Sequence, residues 1–145
     1  MSPGQVAAAV VRRHLLALDA AIQRLRRHAG RPLTAFLDDP DEQWTVERGL
    51  HLCAQNVLDI ATHIAAGTGR DAPDYAAAID VLSDLGVLPR EFARRLRGVA
   101  GFRNVLVHGY LGVDLGRIHE LLNSGLDDFV EFTRYIEAYL QRQGS

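Results

Sequence analysis

Val46, Leu50, Cys53, Val57, Ile60 and Ile64 recur at intervals of 4, 3, 4, 3 and 4 residues. That rhythm lays an apolar seam along one side of a helix, and the seam is stable only where other helices cover it. The rest of the chain supplies the cover. A first helix is expected from about Pro3 or Gln5 to His28, burying Val6, Val10, Leu18, Ile22 and Leu25 and stopped by "AGRP". The seam helix follows the acids of "LDDPDEQ", which favour a helix start, and ends at "AAGTGRDAP". A shorter helix fits Asp74 to Leu85, closed by Gly86. Another begins at Pro89 and runs through "REFARRLRGVAGFRNVLV". The last starts at Asp114, a natural N-cap, and keeps helical spacing through Leu115, Ile118, Leu122, Phe129, Phe132, Ile136 and Leu140 to about Gln141. No stretch alternates as a strand does. The expected fold is all-α: an up-and-down four-helix bundle with a short additional helix, forming one domain over residues 1–145.

The 145 residues are about half apolar, enough for one core. No apolar run approaches the ~20 residues of a membrane span. Arginines and a histidine interrupt the first segment too early for a signal peptide, so a soluble, cytoplasmic protein is expected. Cys53 is the single cysteine, which excludes an internal disulfide and a cysteine metal cluster, and its apolar flanks read as core packing. The net charge of −2 hides an uneven distribution. Six arginines face only Asp19 between Arg12 and Arg31, and five face only Glu91 between Arg90 and Arg103, whereas six acids lie between Asp114 and Glu137. The chain has no lysine, and a planar guanidinium suits phosphate better than an ammonium does. Such clusters permit binding of RNA or a nucleotide.

"GFRNVLVHGY", Gly101 to Tyr110, sets polar groups around the apolar run Val105, Leu106 and Val107. On one continuous helix Tyr110 would lie about 20° and His108 about 140° around the axis from Arg103. Gly109 and Gly112 disfavour continuation past Val107, and a turn there would carry His108 back towards Arg103. A guanidinium beside an imidazole suits phosphodiester chemistry. The first holds the non-bridging oxygens as charge develops, and the second moves a proton near its ordinary pKa. RNA brings its own nucleophile, the 2′-hydroxyl, so no metal or cofactor is implied. Two copies of the cleft in a symmetric dimer would complete such a site, and the all-round apolar Val105 to Val107 suits a helix buried on two sides. The same spacing also fits a histidine bonding the last helix carbonyls and a tyrosine capping a core.

His51, Gln55, Asp59 and His63 recur every four residues and form a polar ribbon on the seam helix. It is either a solvated face with an Asp59 to His63 pair or a wall of the cleft, with those two residues orienting Arg103 or His108. His14, His28 and His119 read as surface or helix-end histidines. Trp44, just ahead of the seam helix, reads as a core anchor rather than a base-stacking platform.

The run "RNVLVHGYLGVD" resembles the R-x-x-x-x-H-x-Y signature of the HepT-like ribonuclease toxins, a branch of the HEPN superfamily. "ERGLHLCAQNVLDIATHIAAGTG" and "PDYAAAIDVLSDLGVLPREFARRLRGVAGF" resemble the family's second helix and the approach to its motif, so the likeness extends from about Glu47 to Phe132. It implies a HEPN-like homodimer with a composite cleft and metal-independent endoribonuclease activity on an RNA substrate. Arg103 would stabilise the phosphate, His108 would be the general acid or base, and Asn104 a polar helper. Tyr110 would be the acceptor of AMP from a partner nucleotidyltransferase, the antitoxin of a toxin–antitoxin pair. Adenylate there would add charge and bulk beside the cleft. The alternative is a non-catalytic HEPN bundle that docks a nucleotidyltransferase or a nucleotide.

Overall fold

The computed structural model describes residues 6–107 and 114–144, and for residues 104–107 the backbone alone. Eight helices follow one another among these residues: α1 (Ala8–Arg26), α2 (Leu33–Leu37), α3 (Pro40–Gly67), α4 (Tyr75–Asp84), α5 (Arg90–Leu96), α6 (Gly98–Val107), α7 (Leu115–Ser124) and α8 (Leu126–Gly144). The fold is all-α. Its four long members are α1, α3, the α5–α6 pair and the α7–α8 pair, with α4 as the short additional helix.

Local chemistry sets the helix starts. Asp39 accepts from the backbone N–H of Glu42 at 3.1 Å, and Pro40 occupies the first turn, where its missing N–H costs nothing. Asp74 caps α4 through Ala77 N–H at 2.8 Å, and Asp114 caps α7 through Arg117 N–H at 3.1 Å. Gly86, at φ +76°, turns the chain out of α4 in the left-handed region that suits glycine.

The seam is at the centre of the core. Val46, Leu50, Cys53, Val57, Ile60 and Ile64 are all essentially inaccessible, and α3 packs against α1, α2, α4, α6, α7 and α8. From α1 the buried set is Val11, Leu15, Leu18, Ala21, Ile22 and Leu25, while Val6 and Val10 are only half-buried. Gly49 lets α1 come close to α3. A Cβ added there would meet Leu25 Cδ2 at 2.5 Å and Cγ at 2.8 Å.

Four features depart from the sequence reading. The helix expected from Pro89 breaks at Arg97 into α5 and α6, where Gly98 follows and Ala100 N–H bonds the Arg97 carbonyl in a tighter turn. The last helix breaks at Gly125, although its apolar stripe continues through Leu122, Leu126 and Phe129. A Cβ on Gly125 would lie 2.8 Å from the Leu121 carbonyl oxygen. A short helix, α2, precedes α3 and inserts the fully buried Phe36 into the core. Trp44 is not a core anchor: it is 80% exposed. The reason is that α3 begins at Pro40, so Trp44 is already inside the helix, two positions before Val46 and about 200° around the axis from the seam.

Two of the histidines read as peripheral bridge helices instead. The His14 Nδ1–H donates to Asn56 Oδ1 at 2.9 Å, and the His119 Nε2–H donates to the Arg31 carbonyl at 2.8 Å, with its ring against Phe36. The buried Glu42 carboxylate accepts from Arg31 and lies 3.5 Å from His28 Nδ1. No helix among the described residues is long and apolar enough to cross a membrane.

Candidate active site

Arg103 projects from α6 onto the polar face of α3. Its Nε–H donates to Gln55 Oε1 at 3.0 Å, and its guanidinium lies over the Tyr75 ring, 5.5 Å from the centroid. Gln55 in turn donates through Nε2 to Asp59 Oδ1 at 2.8 Å, and the same nitrogen is 3.5 Å from the Tyr75 hydroxyl. The amide therefore has one possible sense: oxygen to the arginine, nitrogen to the carboxylate. One bond at Nε and one ring face fix the plane of the guanidinium, while the Asp59 charge reaches it through a neutral amide.

The elements explain this convergence. Gln55 and Asp59 are one turn apart on α3 and opposite the buried seam, so both project towards α6. Tyr75 is the first residue of α4, positioned by the Asp74 cap. His51 lies one turn before Gln55 and is half-buried. Burial, then the positive charges of Arg48 and Arg103, holds its imidazole below the ordinary histidine value, so it is neutral at neutral pH. Cys53, on the buried side of the same helix, has a thiol pushed up to about 12 by burial, far from the range of a nucleophile.

Of the residues singled out in the sequence, the structure brings Arg103 and Asp59 together through Gln55. His63 is engaged elsewhere: its Nε2 accepts from the backbone N–H of Ala7 at 3.2 Å and so supplies the cap that α1 lacks from its own side chains. Asn104 is in α6, with its side chain outside the described residues, as are His108 and Tyr110 entirely. Sequence reasoning did not single out Tyr75. Gln55 was visible only as one member of the four-residue ribbon.

A sequence model of the family described as Ribonuclease HepT-like matches residues 18–136, which include α3, α4 and α6. The chain belongs to the HepT-like family. Among its HepT-like relatives are the tRNA nuclease HepT of Aphanizomenon flos-aquae, 27% identical over 121 residues and covering 82% of each chain, and the mRNA nuclease HepT of Shewanella oneidensis, 26% identical over 104 residues and covering 71% of this chain and 78% of that one. A tri-AMPylated Shewanella oneidensis HEPN toxin, solved in complex with its MNT antitoxin, superimposes with a TM-score of 0.80 over 89% of this chain and 97% of that one, at 22% identity. A cytosolic protein of unknown function from Bacillus subtilis, YutE, gives 0.82 over 95% and 93%, at 20% identity. At these identities the solved structures establish the common fold, a HEPN-type helical bundle.

Proposed function

We propose that the protein is the toxin of a HepT and nucleotidyltransferase pair: a homodimeric endoribonuclease that needs no metal, with Arg103 and His108 in a composite cleft at the dimer interface. The observation that carries this reading is the seating of Arg103. The family's motif arginine is oriented by Gln55 and Tyr75 and backed by Asp59, as a group that must meet a phosphate in one geometry should be. The nuclease names of the relatives support the reaction class.

The reaction is a transesterification. The 2′-hydroxyl of RNA attacks the adjacent phosphorus while a histidine takes its proton. The bond from phosphorus to the 5′-oxygen then breaks, and a protonated histidine returns a proton to that oxygen. The products are a 2′,3′-cyclic phosphate and a 5′-hydroxyl. Two copies of His108 in a shared cleft provide the base and the acid, and Arg103 holds the phosphorane oxygens as their charge grows. Asn104 assists substrate contact. Asp59 orients Arg103 through Gln55, whereas His63 ties α3 to the start of α1.

Tyr110 is the proposed acceptor of AMP from the antitoxin, and the tri-AMPylated state of the Shewanella toxin supports that role. Adenylates at that position would place negative charge where RNA phosphate must bind. The deciding experiment is cleavage of total cellular RNA by purified, unmodified protein in excess EDTA, beside Arg103→Ala and His108→Ala. Cleavage by wild type alone is expected. Cleavage that survives both substitutions, or none by protein whose mass shows no adenylate, refutes the reading. Co-expression with the nucleotidyltransferase should raise the mass by adenylate units in wild type and not in Tyr110→Phe.

A further inference from the structure

The polar face of α3 extends well beyond the arginine cleft. Trp44, Arg48, His51 and Gln55 follow at intervals of 4, 3 and 4 residues, which confines them to about 60° of the helix surface. From Trp44 to Gln55 is roughly 16 Å along the axis. The stripe therefore runs from an exposed indole to the amide that holds Arg103.

The indole has unusual surroundings. A groove of about 380 Å³ lies between α1 and α3, lined by Arg24, Leu25, His28, Trp44, Arg48 and Leu52. A second groove, of about 220 Å³, is lined by Trp44, Glu47, Arg48 and His51, the last one helical turn before Gln55. Arg24 and Arg48 are exposed and make no ion pair among the described residues. Arg12, Arg26, Arg31, Arg70, Arg94, Arg95, Arg97 and Arg117 are all paired with carboxylates. Glu47 is the one acid in either lining, set against two guanidiniums.

We propose that Trp44, Arg48 and Arg24 form a binding site for single-stranded RNA, in which a base a few nucleotides from the cut stacks on the indole and its phosphate is held by the two arginines. The inference rests on the ribonuclease reading, and it adds where the strand lies: along α3, from the cleft towards the helix N-terminus. An exposed aromatic face between uncompensated cations is how proteins hold unpaired strands with little regard for sequence. An apolar protein partner would fit less well, since covering Trp44 would strip water from two guanidiniums without offering them an anion.

Trp44 is the only tryptophan in the chain, so its emission reports on the site directly. The experiment is titration of the unmodified protein with a short single strand of 2′-O-methyl RNA, which binds but lacks the nucleophile and cannot be cut. Saturable quenching of Trp44 is expected. Arg48→Ala should weaken the midpoint about tenfold, and Trp44→Ala, followed by anisotropy of a labelled strand, about 5- to 100-fold. Arg134→Ala removes the same charge from an exposed position on α8 and should leave the midpoint within about twofold.

Three results overturn the site. One is anisotropy that reports binding while Trp44 emission stays constant. The second is an equal loss in Arg134→Ala and Arg48→Ala, which would reduce the effect to diffuse charge. The third is emission that changes on diluting the protein without RNA, which would place Trp44 in a contact between subunits. Because the strand cannot be cleaved, these outcomes are independent of the EDTA assay, and either reading can fail alone.

Discussion

The close approach of α1 to α3 at Gly49 makes a sharp prediction about stability. Gly49→Ala in an open helix interior would stabilise by about 1 kcal/mol, because alanine loses less backbone entropy than glycine. Here the new methyl would meet Leu25 Cδ2 at 2.5 Å and Cγ at 2.8 Å, so the buried Leu25, 1% exposed, would have to shift. Overpacking of this kind costs about 1–3 kcal/mol, so the single substitution should be neutral or destabilising by up to about 2 kcal/mol. Leu25→Ala alone should cost about 2–5 kcal/mol through the space it opens. In that background the alanine at 49 regains its helix preference and fills part of the void, so the same change should now stabilise by about 1–2 kcal/mol. The expected signature is a reversal of sign between backgrounds, with a coupling of about 2 kcal/mol. Urea unfolding of the four proteins, followed by far-UV circular dichroism at one protein concentration, measures it. An equal gain of about 1 kcal/mol from Gly49→Ala in both backgrounds would refute the packing argument.

Three further outcomes are expected. Gln55→Leu removes the acceptor at Arg103 Nε and the donor to Asp59, and should lower RNA cleavage by about 10- to 100-fold with the thermal midpoint nearly unchanged; unaltered cleavage would show that the bond does not orient the arginine. Because the folded His51 imidazole is held below its unfolded value, the unfolded chain binds more protons between the two pKa values. Its contribution to stability is therefore present above about 6.5 and is lost as pH falls towards the folded value. His51→Gln should flatten that part of the stability profile, read as urea midpoints from pH 5 to 8; an unchanged slope would dismiss the effect. Cys53, with its thiol pushed up to about 12, should not react with an aromatic disulfide reagent at pH 8 until the protein unfolds, and immediate stoichiometric labelling of the native protein would contradict its burial.

Local signals were well legible in the sequence. The seam of α3 follows from spacing alone, and the cap at Asp114 from residue type. What escaped depends on distance in space or on a shift of a few residues. Trp44 was misplaced because the N-terminus of α3 was set too late; starting at Pro40 turns the indole to solvent. The breaks at Arg97 and Gly125 leave the apolar stripes intact, so periodicity is blind to them. The partnership of Arg103 with Gln55 and Tyr75 joins residues 48 and 28 positions apart, and no local pattern encodes that. The four-residue ribbon gave a partial signal: of its members Gln55 and Asp59 join Arg103, while His63 bonds the start of α1.

Because α3 is wrapped by six other helices, its backbone has no separate route to disorder. Its central amides should open only when the whole bundle opens, and they should be the slowest to exchange with solvent. Gln55, Asp59, His51 and Trp44 all ride on that backbone. Heat or denaturant would therefore not displace the α3 side of the site, Gln55 and Asp59, ahead of global melting. In evolutionary terms the stripe is a rigid rack. Its outward side chains are open to exchange for others, and the helix that spaces them is held fixed by the six helices packed around it.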